Sequence, residues 1–182
     1  RRGGSRARGA RAVEQQQNVE RLLAQELAIV ARAETQLGRL DAADASLRRA
    51  LALARSAKSG EAEAMTLHAL GRVALARNDP QHAVRRFEEG LALTARLDRP
   101  SLQIFLEDGL GRALTALGRT ADALAALGRS VDLVDRLRGE LDDADFRSGF
   151  VEDKQTVYHQ AVFAALRMGN VAEAFGFAER AR

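Results

Sequence analysis

Three stretches of the chain repeat one another at a fixed spacing of 40 residues, and no other feature restricts the fold as much. Leu70–Leu93 reads LGRVALARNDPQHAVRRFEEGLAL. Forty residues on stands LGRALTALGRTADALAALGRSVDL, and forty residues earlier VARAETQLGRLDAADASLRRALAL. A period of this size means small units that cannot bury their apolar faces alone and must stack. The columns agree in side-chain size. Ala31, Gly71 and Gly111 are all small, as are Ala43, Ala83 and Ala123, and Ala50, Gly90 and Ser130. Leu47, Phe87 and Leu127 are large and apolar, and Leu51, Leu91 and Val131 continue the apolar stripe.

Each unit reads as two helices joined by a tight turn. Apolar residues recur at three- and four-residue steps, as amphipathic helices require. Gly38 and Gly118 stand where the first helix must stop, the usual place of a left-handed residue, and Asn78 fills the same column. Asp79-Pro80 then opens the second helix, with Asp as the cap and Pro at the first helical position. The small columns let the two helices cross closely, and the large ones fill the space between units. Gly128 and Gly176 fall inside expected helices, where close helix approach is the expected reason for a residue that weakens a helix.

Leu70-Gly71, Ala83, Phe87 and Gly90 make the pattern resemble the tetratricopeptide repeat, as do Leu110-Gly111, Gly118, Ala123 and Leu127. The resemblance implies an all-α fold: an α-solenoid, a right-handed superhelix of antiparallel helical hairpins. Repeats are expected at about 24–57, 64–97, 104–137 and 155–182, within a domain of 12–182. The fourth unit carries the turn Met168-Gly169-Asn170, followed by Ala174, Ala178 and Ala181, and its first helix is expected from about Phe150. From Ala123 to Ala174 the step is 51 rather than 40, which places an insert at 138–149.

The last fifth of the chain resembles a narrower group. Arg147-Ser148-Gly149-Phe150, Val157-Tyr158, Gly169, Glu173-Ala174-Phe175 and Ala178-Glu179-Arg180-Ala181-Arg182 are similar to the repeat region that precedes a caspase-like CHAT peptidase domain. That resemblance implies a sensor or substrate-recruiting arm whose effector domain lies outside this chain. It implies no activity here, because the chain has no cysteine to act as the nucleophile. The first residue is Arg, which fits a piece of a longer protein.

Composition narrows the function further. The isoelectric point of about 10.1 suggests a nucleic-acid partner. The excess positive charge sits in Arg1, Arg2, Arg6, Arg8 and Arg11, a Gly- and Arg-rich stretch without an acid. Without those five charges the net of +3 becomes −2. Residues 1–11 therefore read as a disordered basic tail, and no aromatic residue interleaves its arginines as single-strand binding would require. The near-exclusive use of Arg over Lys points to a GC-rich bacterial genome. No apolar run reaches the roughly 18 residues of a membrane span. The lack of cysteine excludes disulfides and thiolate metal sites and fits a cytoplasmic setting.

Catalytic chemistry has no support. His68, His82 and His159 lack ligand-spaced neighbours, so neither a metal nor a cofactor is expected. A calcium loop begun at Asp143 would need Gly and Glu where Ser148 and Lys154 stand. The chain is expected to be a protein-interaction scaffold rather than an enzyme, with no small-molecule substrate. Family geometry implies that five positions of each first helix face a concave groove. These are Gln25, Ala28, Arg32, Thr35 and Gln36 in the first unit, Met65, His68, Arg72, Leu75 and Ala76 in the second, and Phe105, Asp108, Arg112, Thr115 and Ala116 in the third. Arg32, Arg72 and Arg112 share one column, an expected ladder for an acidic or C-terminal peptide segment. The competing expectation is that these arginines pair with Glu34 or Asp108, or face water. The terminal helices are expected to need a cap, by homodimerisation or by a following domain.

Overall fold

The computed structural model describes the backbone of residues 2–140 and 144–182, with side chains over 9–140 and 155–182. Among the described residues there are eight helices and no strand. They are α1 (Arg2–Gln36), α2 (Leu40–Ser56), α3 (Gly60–Ala76), α4 (Pro80–Thr94), α5 (Pro100–Ala116), α6 (Thr120–Gly139), α7 (Ala144–Arg167) and α8 (Val171–Arg180). The fold is the expected all-α solenoid, with hairpins α1–α2, α3–α4, α5–α6 and α7–α8.

Each hairpin turns on one left-handed residue. Gly38, Asn78, Gly118 and Gly169 have φ of 73°, 58°, 74° and 71°. The next N–H reaches back to a carbonyl that the helix end leaves open: Arg39 to Glu34 at 2.8 Å, and Asp79 to Ala74, Arg119 to Leu114 and Asn170 to Ala165 at 2.9 Å. Lys58 takes the same conformation between hairpins, at φ 53°, where no glycine or asparagine signals it. Side-chain oxygens open the helices that follow. Asp79 accepts from the His82 N–H at 3.0 Å, with Pro80 in the first turn, and Asn170 accepts from the Glu173 N–H at 3.1 Å.

α1 runs through residues 2–11, the segment whose composition reads as a disordered tail. Its four arginines and two alanines favour helix and its three glycines oppose it, and no proline interrupts the run. In the expected insert, residues 138–139 finish α6 and 144–149 begin α7, while 141–143 lie outside the described residues. Phe150 is therefore inside α7, not at its start. The side chains of Arg147–Phe150 also lie outside the described residues.

Packing follows the size columns. Leu47, Phe87 and Leu127 are buried, as are the small residues Ala31, Gly71 and Gly111. Ala43, Ala83 and Ala123 are fully buried at the helix crossings. The Ser130 hydroxyl donates to the Ile104 carbonyl at 3.1 Å, joining α6 to α5. At the last hairpin, the Tyr158 hydroxyl of α7 donates to Asp135 of α6 at 2.6 Å. Arg180 of α8 donates to both Asp135 and Asp132 at 2.6 Å, so the three helices share one polar network. Close approach does not account for Gly128 and Gly176. A Cβ on Gly128 would meet only the tip of the Phe177 ring at 3.9 Å, and one on Gly176 would meet nothing within 4 Å.

Every helix packs on the next one in the chain. In addition α1 touches α3, α3 touches α5, and α5 touches α7. Among the described residues no such run of contacts joins the even-numbered helices. The odd-numbered helices therefore crowd the inner side of a curved stack, and the even-numbered ones form its outer side.

Candidate functional site: the concave groove

A cavity of about 640 Å³ opens on the inner side, against α1, α3 and the start of α5. Six of the residues singled out from the sequence line it: Arg32, Gln36, Met65, His68, Arg72 and Phe105. Helical spacing explains the grouping, because positions three or four apart share a face and the stack brings equal faces together. Arg112 and Asp108 do not line this cavity. They continue the inner column on α5, and the Arg112 charge acts on both His68 and Asp108.

Among the described residues, Arg32, Arg72 and Arg112 make no ion pair and no side-chain hydrogen bond. The expected pairings are not formed: Glu34 accepts from the Ser46 hydroxyl at 3.0 Å, and Asp108 holds no arginine. Arginines elsewhere are engaged. Arg129 makes a two-pronged contact with Glu107, at 2.9 and 2.8 Å, and Arg99 meets Glu61 at 3.0 Å. The ladder has three rungs. In the fourth unit the same column holds Phe163, which is 64% exposed.

His68 is half-buried beside two aromatic rings, its centroid 5.9 Å from Phe87 and 6.0 Å from Phe105. Burial, and then the Arg72 and Arg112 charges, push its pKa down to about 4. The imidazole is thus neutral at pH 7 and offers one donor and one acceptor. Asp108 moves the other way. Burial raises its carboxyl to about 6 against the opposing pull of Arg112, and its Oδ1 is buried with no hydrogen-bond partner.

The sequence reading missed the apolar wall. Ile29, Ala69 and Leu102 line the cavity, as does one acid, Glu26. Ile29 and Ala69 occupy the residue after the expected groove positions Ala28 and His68, so a wider inner face would have included them. Of the other expected groove positions, Gln25, Ala28 and Thr35 line the cavity, whereas Leu75, Ala76, Thr115 and Ala116 do not. No group of three or more His, Asp or Glu side chains is placed to hold a metal among the described residues. No helix there is long and apolar enough to cross a membrane.

Residues 22–96 match the family model of the tetratricopeptide repeat. No curated protein matches the sequence. Among solved structures, the chain is similar to the Q17M form of a Podosopora anserina protein with nearly identical TPR-like repeats. The TM-score is 0.68 at 22% identity, over 86% of this chain and 72% of the other. It is also similar to BtubC (BKLC) from P. vanneervenii, with a TM-score of 0.71 at 16% identity, over 89% of this chain and 63% of that one. MamA gives a TM-score of 0.60 at 16% identity, over 87% and 75%. At these identities the likeness is one of fold. Residues 22–96 thus resemble tetratricopeptide repeats, and the chain as a whole has the fold of a tetratricopeptide-repeat solenoid.

Proposed function

We propose that this chain is a protein-interaction scaffold that holds an acidic or C-terminal peptide segment in its concave groove. One observation carries the reading: Arg32 and Arg72 line the same cavity, and neither is neutralised by the protein's own acids. Their guanidinium forks suit carboxylates, and the neighbouring Ile29, Ala69, Met65 and Phe105 give an apolar bed for the rest of the segment. Arg112 extends the ladder toward α7. The partners sought are cytoplasmic proteins, not small molecules. The test is charge reversal in pairs, Arg32→Glu with Arg72→Glu and Arg72→Glu with Arg112→Glu, against a peptide array. A charge-assisted hydrogen bond contributes about 1.5–3 kcal/mol, so each pair should lower affinity for acidic peptides by at least tenfold. Unchanged binding in both pairs discards the ladder.

A specific exposure favours self-association as a second part of the reading. Phe175 of α8 shares its column with Val84 and Leu124, each 7% exposed beneath the following hairpin, yet Phe175 is 65% exposed. Homodimerisation through the terminal helices would cover it. Should the chain instead be the regulatory arm of a CHAT peptidase or a transcriptional regulator, a following domain takes that face. Sedimentation of Phe175→Asp against the parent chain separates the two, since only a dimer would dissociate.

A further inference from the structure

Asp108 is out of place on a face built to attract anions. It stands one helical turn before Arg112 on the inner side of α5. Its column mate on α3 is His68, and Arg72 follows one turn on. Its Oδ1 is buried and accepts no hydrogen bond, although a free acceptor of that kind is costly. Arg112 does not close on it. The protein thus keeps a buried carboxyl oxygen that no donor satisfies, on a half-buried side chain one turn from the rung of the ladder that a ligand carboxylate would meet.

We propose that the Asp108 carboxyl gates this groove for anionic partners: charged, it holds ligand carboxylates away from Arg112, and protonated, it donates a hydrogen bond to them. The inference rests on the groove reading above and adds its regulation. α5 packs on α3, α4, α6 and α7, and among the described residues the one charge that acts on the Asp108 carboxyl is that of Arg112, none of it coming from α4. On α5 the neighbouring charge is the Arg112 guanidinium. On α3, His68 keeps its neutral form down to about pH 4. On α6, Arg129 is taken up by Glu107. On α7, His159 holds the column corresponding to Asp108 and must be controlled separately. Asp108 is then the inner-face group of α3 and α5 that changes charge between pH 7.5 and 5, its carboxyl titrating at about 6.

The probe is a hexa-aspartate peptide carrying tetramethylrhodamine, which stays anionic over this range. Its binding is measured by anisotropy from pH 7.5 to 5.0 on the full chain. With a midpoint of about 6, the competent fraction rises from about one thirtieth to about nine tenths, so affinity should rise by up to about thirtyfold. Asp108→Asn should bind at pH 7.5 as the parent does at pH 5.0, with a flat profile, because the amide donates without titrating. His159→Gln should keep the parent's slope. Binding that is lost in the Arg32→Glu, Arg72→Glu pair yet is flat with pH in the parent overturns the gate and leaves the groove reading standing. A rise that persists in Asp108→Asn, or vanishes in His159→Gln, also overturns the gate. No binding at any pH by either the parent or Asp108→Asn overturns both. A carbon-13 titration of the Asp108 carboxyl in the free chain is the independent check, and a midpoint near 3.8 overturns the gate.

Discussion

The Phe87 ring occupies the space that a side chain at Gly71 would need: a Cβ built there would stand 2.6 Å from ring carbons Cε1 and Cζ. A Cβ built at Gly109, on the next hairpin, would stand 2.5 Å from the same ring, so the ring lies in a slot formed by two glycines on different helices. The first unit solves the same problem with Ala31 and the smaller Leu47. Gly71→Ala should therefore cost about 1–3 kcal/mol by overpacking. Combined with Phe87→Leu, it should cost less than the two single changes added together, with a coupling of at least about 0.5 kcal/mol in urea unfolding. Strict additivity would show that the ring and the glycine are not in competition.

Gly176 is the opposite case. It lies inside α8 with open space around its Cα, so nothing there requires a missing side chain. Gly176→Ala should stabilise the chain by about 0.5–1 kcal/mol through helix propensity. The measurement is the urea midpoint at an unchanged slope. A destabilised variant would point to a contact at that face.

Tyr158 ties α7 to α6 through Asp135, which also holds Arg180 of α8. Tyr158→Phe keeps the buried ring and removes the donor. The expected cost is about 1–2 kcal/mol, because a hydrogen bond to a charged group is lost while Asp135 keeps its arginine. Hydrogen exchange should report faster opening of α7 and α8 with α3 and α4 unaffected. Uniform loss of protection along the whole stack would argue against a local tie.

The Asp108 carboxyl also predicts how stability follows pH. Its folded value of about 6 lies above the ordinary 3.8, so the folded chain binds this proton more tightly than the unfolded one. Stability from this group is complete below about pH 3.8 and is lost as pH rises through 6. Asp108→Asn should therefore stabilise the chain by about 1–3 kcal/mol at pH 7.5 and by much less at pH 4. Denaturation at the two pH values checks this. An equal effect at both would mean that the carboxyl is not held above its ordinary range.

The sequence by itself determined the helical hairpins, their turns and the size columns on which they pack. These depend on local needs: Gly38, Asn78, Gly118 and Gly169 supply the left-handed backbone, and the small and large columns recur because every crossing has the same geometry. It also placed Arg32, Arg72 and Arg112 in one column, since helical spacing fixes which residues share a face. Tertiary structure alone decided what those side chains meet. Whether an arginine finds an acid depends on side chains dozens of residues away, as when Arg77 reaches Asp41. The same holds for Asp108, whose carboxyl shifts through burial by neighbouring helices, and for Gly176, which looks in sequence like the tightly packed Gly71 yet has open space around it. Burial and partner choice are sums over the whole stack, and no local window of the chain contains them.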